Sequence, residues 1–255
     1  MATWVWVDGR EIAEGEPAIP ATDPGFLLGW TAFDSLVVPA PPERLTAHLQ
    51  RLEASARELR VPFPGEDALR ADLGRVERAV GGAARVRVTL TRGGLRVVAA
   101  TPIDRSRWLG PVRAARGPHR DEPFLGGRPK HGSRAPWAVA VERSGVDDVL
   151  LVDADGRFTE ATTAGIVASI GGRLWTAPDD GRILPSTTVL AVCETAAKLG
   201  VEVIRMGPPA DGGWDGLYVA SSTRGLAPVI ALDGAPLPGW DPVGRRVADA
   251  LPWGA

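Results

Sequence analysis

Cysteine, lysine, tyrosine and long apolar runs are all scarce in this 255-residue chain. The single cysteine, Cys193, excludes an intramolecular disulfide and suits a reducing compartment. It lies in "STTVLAVCETAAKLG", a helix-like run, so a buried, inert thiol is expected. No apolar run approaches the roughly 18 residues that a membrane span needs, and "MATWVWVDGREI" has no basic segment leading into an apolar core. A soluble, cytoplasmic protein with no membrane partner is the expectation. His48, His119 and His131 are too far apart for metal-ligand spacing, and HExxH and CxxC are missing, so no metal site is expected. The GxSxG elbow and the P-loop are missing too. "GGAAR" and "RGGLR" are turns too short for a dinucleotide fingerprint. A net charge of −2 argues against a general nucleic-acid binder. Lysine occurs only at 130 and 198, against 27 arginines.

What is present describes an ordinary globular chain, 44% hydrophobic and 24% charged, long enough for one domain or two small ones. "WVWVDGREI" reads as a hairpin around Asp-Gly. Leu45, Leu49, Leu52, Ala56 and Leu59 form one helix face, and Leu69, Leu73, Val76 and Val80 form a second. "ARVRVTLTR" alternates Val86, Val88 and Leu90 with Arg85, Arg87 and Thr89, a half-buried strand that "LRVVAATP" would pair. The arginine- and proline-rich stretch between Pro102 and Pro129 marks the best domain junction. The second half reads as a helix in "RAPWAVAVERSG", strands in "DDVLLVD", two strands across "TEATTAGIVASIGGRLWTAP", a helix over 187–199, three more strands and a short last helix. Many short strands with few helices suggest a mixed sheet or a barrel-like second domain.

One constellation carries chemistry. Lys130 sits in a loop, "GGRPKHGSR", where arginine could not replace it as an amine nucleophile, although a surface loop lysine would look the same. Thirty residues on, Glu160 lies among small hydroxyl residues in "FTEATTAG". "RILPSTT" then leads into a helix, and "VASSTRG" ends a strand. Hydroxyls and small residues at a helix start build a phosphate nest from backbone N–H groups and the helix dipole. An amine, a carboxylate and a phosphate site together are what pyridoxal phosphate requires.

These segments resemble the class IV aminotransferase family, the fold-type-IV pyridoxal-phosphate group, almost end to end. The matching pieces, in order, are "DPGFLLGWTAFDSLVV", "RLTAHLQRL", "TLTRGG", "PKHGSR", "FTEATTAGI" and "GRILPSTT". The resemblance implies a mixed α/β chain with a small N-terminal α/β sandwich over 1–108 and a C-terminal pseudo-barrel over 109–255 that carries the lysine. It implies pyridoxal 5'-phosphate as cofactor, a small-molecule substrate and a homodimer.

By the same resemblance, Lys130 would bond the cofactor and move the proton at the substrate carbon. Glu160 would pair with the ring nitrogen. Arg51, Thr187, Thr188 and Ser222 would hold the phosphate. Arg51 lies roughly 120° from the leucine stripe at about 100° per residue, free to reach a ligand. Arg92, Arg134 and Trp30 would face the substrate. The chain departs from the family at Gly29-Trp30-Thr31 (usually Gly-Asp-Gly), at Phe33-Asp34-Ser35 (usually Phe/Tyr-Glu-Thr) and at Gly165 (usually asparagine). The run Lys130-His131-x-x-Arg134, with Ser35 able to assist protonation, is most similar to aminodeoxychorismate lyases. Pyruvate elimination giving 4-aminobenzoate is therefore expected, with transamination of a branched-chain, D- or specialised amine substrate as the alternative and a non-catalytic family member as a lesser one.

Overall fold

The computed structural model describes residues 3–104, 110–119 and 129–252. The described residues form two compact units, 3–104 with 129–134, and 110–119 with 135–252. The expected boundary at 108/109 lies outside the described residues. Lys130, expected with the second domain, groups instead with the first unit. The reason is local hydrogen bonding, set out below.

The first unit opens with β1 (Trp4–Val7) and β2 (Arg10–Glu11). Asp8 and Gly9 between them both have positive φ, 50° and 82°, as a tight hairpin turn demands. With β3 (Thr31–Val38), β4 (Ala84–Thr91) and β5 (Arg96–Pro102) they make an antiparallel sheet in the order β2-β1-β5-β4-β3. Helix α2 (Pro42–Glu58) packs on β3 and α3 (Glu66–Val80) on β5. Leu49, Leu52, Ala56, Leu69, Leu73 and Val76 are buried, as are Val86, Val88, Leu90, Val98 and Ala100 of the sheet. Each fully buried leucine or valine contributes about 1.5–3 kcal/mol, which outweighs the helices' modest intrinsic propensity. The predicted leucine stripe is the buried one except at its first member, Leu45, which is half-buried.

The short helix α1 (Pro24–Leu28) was not anticipated. Asp23, buried, accepts from the Gly25 N–H at 2.6 Å and from Thr91 Oγ1 at 2.9 Å. A β-carbon at Gly93 would fall 2.0 Å from Asp23 Oδ2. The "DPGF" and "TRGG" segments are therefore two halves of one lock between α1 and the β4–β5 turn. β3 is an edge strand, and the lysine loop covers that edge. Phe33 N–H donates to the Lys130 carbonyl at 2.9 Å, Gly132 N–H donates to Thr31 O at 3.0 Å, and Ala32 and His131 form a bridge. The Lys130 N–H donates to Ser55 Oγ of α2 at 3.0 Å.

The second unit is built on β6 (Val112–Pro118), β7 (Asp148–Val152), β8 (Phe158–Ala161), β9 (Gly165–Ile170), β10 (Arg173–Thr176), β11 (Val203–Arg205), β12 (Gly216–Ser221), β13 (Gly225–Leu232) and β14 (Ala235–Pro236). The pairing β9-β12-β13-β6-β7-β8 closes where β8 meets β9, giving the barrel-like sheet the family resemblance implied. Side chains alternate between two cores along its strands. Ile166, Ala168, Leu217 and Val219 join Leu150, Phe158 and Val229 in one core, whereas Val167, Tyr218 and Ala220 join helices α5 (Thr187–Lys198) and α6 (Pro242–Ala250) in the other. Helix α4 (Ala135–Ser144) precedes β7, as expected. The stretch 158–176 forms three strands where the sequence suggested two. The break comes at Thr162 and Thr163, whose hydroxyls both donate to the fully buried carboxylate of Asp148.

Candidate active site

In the first unit the candidate residues gather around β3. Residues directly opposite in an antiparallel pair share a face. Phe33 faces Thr89 and Ser35 faces Arg87, so all four lie on one side of the sheet. Asp34 lies on the other side, under α2. The Arg87 guanidinium stacks on the Phe33 ring, its carbon 3.6 Å from the centroid, and Lys130 Nζ lies 5.0 Å from the same centroid. Burial, aided by the like charges of Arg134 and Arg85, pushes the Arg87 guanidinium down to about 10. The Asp34 charge acts in the opposite sense, and Arg87 Nε donates to Thr89 Oγ1 at 3.3 Å on the same sheet face.

Beneath the sheet, Asp34 takes a bidentate pair from Arg51, with Nε and Nη2 each at 2.8 Å, and a hydrogen bond from His48 Nδ1 at 2.9 Å. Burial works to raise the Asp34 carboxyl, but Arg51 and His48 outweigh it and hold the group well below the usual carboxylate range. Arg51, expected to point at a phosphate, is thus also one arm of a buried cluster. Trp30 and Arg92 meet each other. The Trp30 indole N–H donates to Leu59 O at 2.7 Å, and the Arg92 guanidinium sits 5.5 Å from a Trp30 ring. Arg134 follows at the end of the lysine loop, its N–H bonded to Gly132 O.

The second unit brings the remaining candidates to one end of its sheet. Glu160, on β8, pairs with Gly165, and its Oε2 accepts from the Leu184 N–H at 3.3 Å. Gly165 in turn pairs with Ala220 of β12. A β-carbon at Gly165 would lie 2.4 Å from Val189 Cγ2 and 3.4 Å from Ser186 Cβ, so this end of β9 abuts the start of α5. A side chain at 165 would have to displace Val189. Ser186 caps α5, accepting from Val189 N–H at 3.2 Å, and Thr187 and Thr188, both buried, occupy its first turn. First-turn N–H groups have no intrahelical acceptor and carry the positive end of the helix dipole, so they suit an anion. Ser222, also buried, begins the turn after β12. In that turn Arg224 Nη1 is buried without a hydrogen-bond partner among the described residues.

The family model for amino-transferase class IV matches residues 32–232. The chain belongs to the class IV aminotransferase family. Solved structures agree. A hypothetical aminotransferase from Mycobacterium tuberculosis in its PLP-bound form is 25% identical, with a TM-score of 0.84 over 98% of this chain and 97% of that one. The branched-chain aminotransferase of Thermoproteus uzoniensis with norvaline is 22% identical (TM-score 0.83, 96% and 92% covered), and the Escherichia coli branched-chain enzyme 19% (0.83, 96% and 91%). A comparison with curated proteins finds no match. The fold of this class IV aminotransferase-family chain is thereby established as fold type IV.

Four residues of these clusters escaped the sequence reading. Arg87 was placed on the polar side of an alternating strand, where nothing distinguished it from Arg85. Asp34 did carry a signal, as the only acid in the apolar strand "TAFDSLVV", and His48 and Arg51 stand three apart on one helix face beside it. Arg224 lies within "VASSTRG", but nothing in that stretch announces a buried guanidinium nitrogen without a partner among the described residues.

Among the described residues no helix is long and apolar enough to cross a membrane, and no group of three or more metal-ligating side chains occurs.

Proposed function

We propose that the chain is a pyridoxal-phosphate-dependent aminotransferase acting on a small amino acid that carries a carboxylate. The observation that carries this reading is the Phe33 ring, shared by the Lys130 amine and the half-buried Arg87 guanidinium. An amine for a carbonyl and a cation for a carboxylate are the two groups that an amino-acid substrate needs side by side. The residues also fit the cofactor, because a first-turn donor set, a carboxylate held by Leu184 N–H and a buried guanidinium nitrogen without a partner among the described residues belong to one unit. Bound, pyridoxal phosphate supplies an aldehyde that takes up amines and a ring that draws electrons from the substrate carbon.

The protein's own contributions follow from its side chains. Lys130 Nζ holds the cofactor at rest and then carries the proton to and from the substrate carbon. Glu160 keeps a proton on the ring nitrogen by charge pairing. Thr187, Thr188 and Ser222 bind the phosphate, and in the first unit Asp34 and His48 fix the rotamer of Arg51, the phosphate candidate there. Arg87, with Arg134 and Arg92, orients the substrate carboxylate, and Trp30 bounds the space beside Arg92.

A second reading, elimination of pyruvate from aminodeoxychorismate, is favoured by Ser35. This hydroxyl lies on the same sheet face as Phe33 and opposite Arg87, where it can hand on a proton. The Lys130-His131-x-x-Arg134 run agrees with it. One experiment separates the two. Purified protein is incubated with aminodeoxychorismate alone, and with amino acids plus 2-oxo acids, and products are identified by mass spectrometry. Acceptor-dependent amino transfer, with a pyridoxamine form of the cofactor, supports the aminotransferase. Pyruvate and 4-aminobenzoate without an acceptor overturn it in favour of the lyase.

The homodimer is proposed on a separate observation. Phe26, Leu27 and Leu28 of α1 are 67%, 61% and 68% exposed although α1 is locked in place by Asp23. A mass by light scattering equal to one chain would rule it out.

A further inference from the structure

We propose that Arg224 binds an oxyanion, either the phosphate of the cofactor or the carboxylate of the substrate. The proposal deepens the reading above and rests on it for the choice of ligand, though not for the anion site itself. Arg224 ends the three-residue turn 222–224 between β12 and β13. The turn is tightly made. Ser221 pairs with Gly225, Arg224 N–H donates to Ser221 O at 3.0 Å, and Gly225 adopts a φ of +65°. The backbone that carries Arg224 is therefore held, while Nη1 of its guanidinium is buried and has no partner among the described residues.

Other arginines of this unit are provided for. Arg116 pairs with Asp233 and donates to Ala210 O, Arg157 donates to Gly207 O at 2.8 Å, and Arg182 pairs with Asp180 and Asp153. A charged donor left unmade in a buried position is costly, and a guanidinium presents its N–H groups in a planar fork that matches phosphate and carboxylate.

The position also points to a ligand. Ala220, two residues before Ser222, pairs with Gly165, and Gly165 abuts Ser186 and Val189 at the start of α5. Strand pairing thus puts the 222–224 turn at the sheet end that holds Glu160 and the first turn of α5. An anion gathered by Thr187, Thr188 and Ser222 would give Arg224 Nη1 the partner it lacks among the described residues. A substrate carboxylate next to the cofactor would serve equally.

The test uses the full chain with Arg224→Met, and with Arg224→Lys in case the first variant misfolds, each checked by circular dichroism. Apo-protein is titrated with pyridoxal phosphate, with pyridoxal lacking the phosphate, and with inorganic phosphate. Holoprotein is titrated with an amino acid and with the amine of the same side chain lacking the carboxylate. If Arg224 holds the phosphate, Arg224→Met weakens pyridoxal phosphate and inorganic phosphate at least tenfold and leaves pyridoxal unchanged. If it holds the carboxylate, cofactor affinity stays, and the amino acid alone is weakened at least tenfold. Arg224→Lys keeps the charge without the fork and falls between. A folded Arg224→Met protein that binds every probe like the parent overturns the proposal. Arg224-dependent binding of inorganic phosphate by a chain that takes up no pyridoxal phosphate would leave Arg224 standing and remove the cofactor reading instead.

Discussion

Replacing Asp34 with asparagine tests the buried cluster under α2 most directly. Asparagine keeps the shape but removes the charge that faces Arg51, whose side chain is only 11% exposed. Breaking a buried pair by removing one partner costs about 3–5 kcal/mol, because the remaining charge is left uncompensated. An isosteric amide still accepts one hydrogen bond, so the lower end, about 3 kcal/mol, is expected. At about 2–4 °C per kcal/mol for a chain of this size, the melting temperature should fall by about 6–12 °C.

The pH dependence provides an independent check on the same residue. Arg51 and His48 hold the folded Asp34 carboxyl below its unfolded value, so its stabilisation is complete above the unfolded pKa of about 3.9 and is lost as pH falls toward the folded one. The gap between parent and variant should narrow by about 1.4 kcal/mol per pH unit below about pH 4. Urea unfolding followed by circular dichroism across that range measures both quantities. Equal midpoints at neutral pH, or a gap that persists unchanged in acid, would refute the reasoning. Asp34→Leu combined with Arg51→Met should recover only part of the lost stability, since an apolar pair replaces the ion pair while buried His48 loses its bond to Asp34.

Lys130→Ala should abolish the covalent cofactor absorbance and nearly all turnover while the fold survives, and Lys130→Arg should fail equally, because a guanidinium cannot replace the amine. Peptide mapping after borohydride reduction that finds the cofactor on Lys198 would sink this assignment. Glu160→Gln should retain the cofactor but slow turnover at least tenfold, about 1.4 kcal/mol in barrier, and normal turnover would show that Glu160 does not touch the ring. Gly165→Ala places a β-carbon 2.4 Å from Val189 Cγ2 and should destabilise by about 1–3 kcal/mol, read as a lower thermal midpoint; an unchanged midpoint would mean that α5 yields at its first turn.

Local rules determined much of this protein. Helix faces, the Asp8-Gly9 hairpin and the β4–β5 pairing were legible because a helix or strand buries one face at a fixed period, and that period is written in consecutive residues. Lys130, Glu160 and Thr187-Thr188 stand out as candidates in the sequence because their residue types and order match a family pattern. Only the tertiary structure decided the rest. The lysine loop joins the first unit because β3 is an edge strand whose Phe33 N–H takes the Lys130 carbonyl, a pairing across 97 residues that no periodicity encodes. Arg87 stacks on Phe33 of the neighbouring strand only because β3 and β4 pair in this register, and Asp34 holds its charge only because α2 lays Arg51 and His48 on it. Charge state and desolvation depend on what is packed within a few ångströms in space, and chain order does not carry that information.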